Sequence, residues 1–157
     1  MRKSTNKAAA LDHVLYEIEM LTHSLFALHR GDLSQPEGNA WLEVFAIHSR
    51  NLNEFYSNKK FKKAYMRPSD FITWQYSYSF DALLAGRASA QVAHLTYNRP
   101  GPGQRPAWPL ESHFKSLRDA SLHFLKAVSR VESLMIFGNN RQRGATLLNH
   151  LPRIQFQ

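Results

Sequence analysis

The chain has 157 residues, of which 43% are hydrophobic, so it is long and apolar enough for one domain with a buried core and is not a disordered chain. It carries 20 Lys and Arg against 12 Asp and Glu, and a net charge of +8 favours polyanions such as RNA, DNA or an anionic membrane surface. The absence of cysteine excludes disulfides, thiolate metal sites and cysteine nucleophiles, and it favours a reducing compartment.

The sequence gives no indication of membrane insertion. No apolar run reaches the roughly 20 residues that cross a bilayer. The basic start, with Arg2, Lys3 and Lys7, is typical of a signal peptide, but Asp12 and Glu17 interrupt the apolar stretch that such a peptide requires. We therefore expect a cytoplasmic protein without a membrane partner.

Two amphipathic helices are predicted in the first third of the chain. Apolar residues spaced three and four apart indicate a helix over about 6–29, and Gly31 is suited to the left-handed conformation that ends it. The stripe consists of Leu11, Val14, Leu15, Ile18, Leu21, Leu25 and Leu28. Ser34, Pro36 and Glu37 match a capping box with proline in the first turn, which predicts a second helix to about Ser57.

The middle of the chain is first basic and then aromatic. Pro68 ends any helix in the basic segment. That segment contains Lys59, Lys60, Lys62 and Lys63. The aromatic stretch 69–79 is compatible with either a short helix or an extended connector, and Ser79 is a candidate cap for a third helix over about 80–97.

The last third begins with a loop, because residues 98–106 contain three prolines and two glycines. Pro109 then opens a long fourth helix, which is predicted to stop near Gly138. The basic tail that follows is predicted to form a short helix around 145–151.

The predicted fold class is therefore all-α. Four helices with connections of moderate length favour an antiparallel four-helix bundle. We expect one domain over 1–157, with its core over about 8–137 and a basic tail over 138–157.

The common signatures of cofactor and metal chemistry are missing. The sequence has no phosphate-binding P-loop, no dinucleotide-binding glycine motif, no nucleophile elbow and no H-E-x-x-H pair. His13 and Glu17 share a helical face, but two ligands do not make a metal site, and a solvated pair one turn apart is the favoured interpretation. We predict no cofactor and no metal.

A polar cluster lies on the second predicted helix. Arg50 is flanked by His48 and Asn51, and an arginine beside an apolar stripe needs either a carboxylate partner or a solvent-facing task. One interpretation pairs it with Glu54, four residues on. The other has Arg50 binding a phosphate bidentately with support from Asn51.

Two further arginine and histidine spacings are candidates for acid–base chemistry. Arg87 precedes His94 by two helical turns, so both share one face and are suited to holding a phosphodiester and moving its proton. The alternative is a half-buried His94 bonded to a backbone carbonyl. Arg118 and His123 form the second candidate pair, although five positions place them about 140° apart on a helix.

Two segments carry a family resemblance. The first is His48-Ser49-Arg50-Asn51-Leu52 with Phe55, and the second is Val92-Ala93-His94-Leu95-Thr96 with Arg99. Together they resemble a group of uncharacterised bacterial proteins and, more broadly, the HEPN superfamily, over about residues 10–135. This resemblance implies a helical bundle that dimerises. It also implies either a metal-independent ribonuclease, in which four to six residues separate an arginine from a following histidine, or an inactive RNA-binding or partner-binding relative.

Carried over to this chain, the resemblance implies that Arg50 holds phosphate and His94 moves the proton. His48, Asn51, Arg87 and Arg99 would support them, and the four lysines would attract the RNA strand. The match departs from the family motif, since no histidine follows Arg50 within six positions and an alanine follows Arg87. Arg118-Asp119 with His123 fits the motif literally.

Two functions are therefore expected. One is a HEPN-like RNA-directed protein, with metal-independent endoribonuclease activity in a defence or toxin–antitoxin system. The other is a non-catalytic helical homodimer or adaptor that binds a protein partner through the aromatic stretch from Trp74 to Phe80.

Overall fold

The computed structural model describes residues 2–57, 66–79, 81, 86, 88, 108–135 and 138–155. These residues contain helices and turns and no strand, which confirms the all-α prediction. The helices are α1 (Arg2–Leu28), α2 (Gln35–Tyr56), α3 (Leu110–Val128), α4 (Glu132–Met135) and α5 (Asn140–His150), with 3₁₀ turns at Pro68–Asp70 and Leu151–Arg153.

The first two helices follow the predicted pattern closely. The predicted stripe of α1 from Leu11 to Leu25 is buried, and α1 makes its most extensive packing with α2. At the start of α2 the Glu37 carboxylate accepts hydrogen bonds from the Ser34 hydroxyl (2.6 Å) and the Ser34 backbone N–H (2.9 Å). These bonds lower the pKa of Glu37. They also satisfy a backbone donor that the helix itself leaves free.

The predicted length of the helix after Pro109 is wrong. Instead of continuing to Gly138, α3 ends at Val128 and the short α4 follows. The hydroxyl of Ser129 donates to the Lys126 carbonyl (3.0 Å), and Val131 N–H bonds to the carbonyl three residues back (2.9 Å). Such local bonds compete with the regular helical ladder. Gly138 adopts a positive φ of 50° in the turn before α5.

The core extends beyond residue 137, the predicted limit. Leu147, Leu151 and Ile154 are buried in the same cluster as the side chains of α1 and α3. Asn140 is also buried, and its side-chain amide donates to the carbonyls of Ala8 (3.0 Å) and Leu134 (2.9 Å). The C-terminal segment is therefore fastened to the first helix rather than projecting as a tail.

Arg143 reinforces this attachment. Its guanidinium makes two parallel bonds to the Glu19 carboxylate (2.8 and 2.7 Å) and also contacts Asp12. The bonds to Glu19 raise the pKa of Arg143. Because bidentate arginine–carboxylate pairs fix geometry as well as charge, this arginine has a structural task on the α1 side of the fold.

The stretch 71–79 lacks helix, which decides between the two predicted forms in favour of the extended connector. Buried Asn53 of α2 fixes it: the Asn53 amide oxygen accepts from the Tyr78 hydroxyl (2.9 Å) and the Asp81 N–H (2.9 Å), and its nitrogen donates to the Asp81 carbonyl (2.8 Å). Most of the predicted helix over 80–97 and the loop over 98–106 lie outside the described residues. Gly86 and Ala88, which are described, are helical.

Tyr56 joins three parts of the core. Its ring is buried and stacks on Trp74 of the connector, with ring centroids 5.8 Å apart. Its hydroxyl donates to the Ser121 hydroxyl (2.9 Å), which in turn donates to the Leu117 carbonyl (2.7 Å) in α3. Each polar atom in this chain of bonds has a partner, so the phenol is buried without an unpaired group.

Among the helices that the structure describes, none combines the length and the apolarity needed to cross a lipid bilayer.

The first prediction concerns the Tyr56 hydroxyl. At about pH 8, Tyr56→Phe should lower the free energy of unfolding by about 1 kcal/mol, the usual net value of a buried hydrogen bond. Desolvation raises the pKa of Tyr56 above the ordinary tyrosine value of about 10, so the unfolded chain loses this proton first as pH rises. The stability from this group is thus present below about pH 10 and is lost above it. The gap between wild type and Tyr56→Phe should therefore narrow above about pH 10.

Urea unfolding at a series of pH values measures this gap. Tyr16→Phe is the matched control, because Tyr16 is 47% exposed, and it should behave as wild type at about pH 8. A Tyr56→Phe gap that stays constant to about pH 11 would contradict the prediction.

Candidate functional site

A cleft of about 380 Å³ lies along the seam between α1 and α2. Polar side chains from both helices line it, namely His13, Glu17, Arg50, Asn51 and Glu54. The remaining lining is apolar and comes from Val14, Leu52, Phe55 and Met66. The cleft therefore offers one charged and hydrogen-bonding wall beside an apolar surface, and its volume falls within the usual range for small-ligand sites.

Arg50 is anchored in this wall through one nitrogen. Its Nε donates to the Glu54 carboxylate at 3.0 Å, so the pairing that the sequence suggests as an alternative is present. The two terminal amino groups of Arg50 make no hydrogen bond to a described residue. About a third of the side chain, 32%, is exposed. This arrangement orients the guanidinium while leaving its outer donors available to a ligand.

Glu17 joins the two helices at the cleft. One of its carboxylate oxygens accepts from His48 Nδ1 (2.7 Å) and from the Asn51 amide (3.0 Å). An ionised carboxylate only accepts, so Nδ1 is the protonated nitrogen in this contact. The Tyr16 ring packs edge-on against His48, with centroids 5.7 Å apart. His48 and Asn51, both predicted to support a site, are thus brought together by an acidic residue from the other helix.

The predicted pair between His13 and Glu17 is not formed among the described residues. His13 is exposed at the cleft, and Glu17 turns to α2 instead. A solvated pair on one helix contributes only a few tenths of a kcal/mol, so a part-buried partner on the facing helix prevails. His13 is consequently a titratable side chain of the cleft without a described partner.

Sequence reasoning missed Glu17 and Glu54 as members of one site, and it gave His13 and Met66 no part in it. A signal for Glu17 was available. It lies three residues after Val14 and four before Leu21, at the edge of the buried stripe, where a carboxylate must face a neighbouring element. The identity of that neighbour was not available from spacing.

Arg118 and His123 do not meet. Arg118 bonds to the Asp119 carboxylate (3.0 Å) and to the Ile154 carbonyl (3.0 Å), which ties the C-terminal segment to α3. His123 is exposed on another side of α3, beside the connector. Arg118 and His123 therefore match the motif literally but do not line a common cleft among the described residues.

The other predicted site residues lie outside the described residues. They are His94, Arg87 and Arg99, together with Lys59, Lys60, Lys62 and Lys63. The convergence of Arg50 with His94 remains a prediction for this reason. Within the described ranges, no group of three or more His, Asp or Glu side chains is placed to hold a metal ion.

Comparison of the chain with protein-family models, with curated proteins and with solved structures gives no match.

The second prediction concerns the Glu17 junction. Glu17→Ala leaves the largely buried His48 and its neighbour Asn51 without their acceptor, so it should lower the free energy of unfolding by about 1–2 kcal/mol. His13→Ala, at an exposed position on the same helix face, should change it by less than about 0.5 kcal/mol. Urea unfolding measures both. Equal effects of the two substitutions would mean that the Glu17 bonds do not stabilise the seam.

Proposed function

We propose that this protein is a HEPN-like RNA-directed protein that binds RNA phosphate at the cleft between α1 and α2. The observation that carries the proposal is the placement of Arg50, which Glu54 holds through Nε while the terminal amino groups have no described partner. A guanidinium fork of this kind matches the geometry of a phosphate. The net charge of +8 supplies the long-range attraction that a polyanion requires.

The composition of the cleft agrees with this ligand. Of its two carboxylates, Glu54 is paired with the Arg50 cation, whereas Glu17 accepts hydrogen bonds from His48 and Asn51, which weaken its repulsion of a phosphate without cancelling it. The apolar side, which includes Met66, suits the flat face of a nucleobase or the carbon face of a ribose. The cleft therefore offers a contact to both parts of a nucleotide, Arg50 to the phosphate and the apolar side to the base or the ribose.

We extend the proposal to metal-independent cleavage of RNA in a defence or toxin–antitoxin system, in the reducing cytoplasm that the absence of cysteine favours. In this mechanism the 2′-hydroxyl gives up its proton and attacks the adjacent phosphorus, and the 5′-oxygen leaves with a proton. Arg50 offsets the developing charge, while His94 moves the proton as the family resemblance implies. His13, which stands in the cleft, is a second candidate for the proton transfer.

A homodimer or adaptor is the competing function. Three large apolar side chains on α1 and α2 are 44–55% exposed, namely Tyr16, Phe26 and Ile47. The aromatic connector that the sequence suggests as a docking surface packs instead against the protein's own core through Trp74 and Tyr78. Sedimentation equilibrium detects a stable dimer, which the family resemblance also implies. A stable dimer that binds no RNA would favour this competing function over the cleft proposal.

The third prediction tests the cleft. Arg50→Ala should weaken the binding of single-stranded RNA by about tenfold or more, because a bidentate charged contact is lost. Arg50→Lys keeps the charge but not the fork, so it should restore only part of the affinity. Arg30→Ala is the matched control, since it removes the same charge from an exposed pair with Asp32. Equal weakening of RNA binding by Arg30→Ala and Arg50→Ala would mean that Arg50 contributes only non-specific charge attraction.

In the same titrations a combined alanine variant tests the predicted strand-binding segment. It replaces Lys59, Lys60, Lys62 and Lys63. Each lost phosphate contact lowers the slope of log affinity against log salt by roughly 0.7, so four lost contacts should lower it by about 3. An unchanged slope would exclude these lysines from the RNA interface.

The fourth prediction separates an enzyme from a binding protein. With a chelator present, wild type should cleave RNA, and Arg50→Ala and His94→Ala should each slow cleavage by about 10²-fold or more. Both variants should keep the thermal midpoint of wild type. Loss of cleavage in His13→Ala but not in His94→Ala would assign the proton transfer to His13. Absence of cleavage by a folded wild type that still binds RNA would end the nuclease proposal and leave the binding proposal standing.

A further inference from the structure

A row of aromatic rings runs from the core to the surface beside α3. The buried Tyr56 stacks on Trp74 with an interplanar angle of 19°. Trp74 in turn contacts Tyr76 at 5.7 Å and His123 at 5.5 Å between centroids. The rings of Tyr76 and His123 lie 4.9 Å apart at 35° and form the outer end of the row. We call these two side chains the aromatic platform.

Neither residue of the aromatic platform lines the cleft between α1 and α2. His123 is exposed, and its described contacts are with the rings of Trp74 and Tyr76. Tyr76 is half-buried, with Trp74 beneath it. Supported aromatic rings at a surface are suited to stacking with another flat ring, because their orientation is already fixed by the layer below.

The charges around the aromatic platform indicate what kind of flat ring it receives. Lys126 lies one turn after His123 on α3, Arg130 lies in the turn just after the end of α3, and both are exposed. Asp119, the acid one turn before His123 on α3, is already paired with Arg118. A stacking surface with cations on one side complements a chain that carries flat bases on a phosphate backbone.

We infer that the aromatic platform binds an unpaired nucleobase of a single-stranded nucleic acid by stacking, with Lys126 contacting the neighbouring phosphate. This contact goes beyond the proposed function and does not depend on Arg50. Phe124 lies between the two surfaces, since its ring contacts Phe55 of the cleft (5.2 Å) on one side and Trp74 (6.3 Å) on the other. The two sites are therefore separated by a layer of the core and are open to separate substitution.

The experiment titrates a dye-labelled oligouridylate at low salt and follows its anisotropy. Tyr76→Leu and His123→Ala should each weaken binding by about tenfold, the usual effect of losing one base–aromatic stack. Phe26→Leu is the matched control, because it removes an exposed aromatic ring from α1 that lines neither site, and it should leave the affinity unchanged. Binding of polyphosphate, which has charge but no bases, should be unaffected by Tyr76→Leu.

A second variant covers the case in which Tyr76→Leu fails to fold. Tyr76→Trp retains a stacking ring, so it should keep the affinity of wild type, and its tryptophan fluorescence should be quenched by the oligouridylate more strongly than that of wild type. A merely structural role of position 76 predicts no such quenching. Lys126→Gln should lower the salt slope by roughly 0.7, whereas Lys115→Gln, exposed two turns before His123, should not.

The outcomes separate this inference from the cleft proposal. Weakening by Tyr76→Leu but not by Arg50→Ala would support the aromatic platform and overturn the cleft. The reverse pattern, or equal weakening by Tyr76→Leu and Phe26→Leu, would overturn the aromatic platform. Absence of oligonucleotide binding at low salt would overturn both.

Discussion

Burial of the Tyr56 phenol is the constraint around which the described fold is organised. A hydroxyl withdrawn from water costs free energy unless it finds a partner, and Tyr56 finds one in Ser121 on a helix distant in the chain. The same ring stacks on Trp74, so α2, α3 and the connector all meet at one side chain. Because Asn53 fixes the connector one turn earlier on α2, the position of this segment is determined by two neighbouring residues.

The seam between α1 and α2 uses polar side chains differently from the core. Glu17 binds His48 and Asn51 across the seam, and these bonds are part-buried or exposed rather than sealed from water. Apolar contacts alone would not hold an open polar cleft between two helices. Here the bonds at Glu17 tie the two helices together on one wall of the cleft, while the terminal amino groups of Arg50 have no described partner.

The arginines of this chain illustrate how charge is divided between structure and binding. Arg118 and Arg143 satisfy their guanidinium groups within the protein, against Asp119 and the Ile154 carbonyl in one case and against Glu19 and Asp12 in the other. Among the described residues, Arg50 is bonded only through its Nε, to Glu54. An arginine whose donors are all hydrogen-bonded within the protein has none left for a phosphate, whereas one bonded through Nε alone can still bind a phosphate with its terminal amino groups. For this reason the proposed phosphate site is the cleft that contains Arg50.

The spacing of apolar residues was sufficient to locate α1 and α2, because helical periodicity is a local property of the chain. The pair of Arg50 with Glu54 was foreseeable for the same reason, since both lie one turn apart on one helix. The junction of Glu17 with His48 was not, because its partners are 31 residues apart and only the packing of two helices brings them together. Three further features depend on distant contacts in the same way: the end of α3 before Ser129, the burial of the C-terminal segment and the contact of Tyr76 with His123. In each of them local bonds compete with distant contacts, and only the tertiary structure decides that competition.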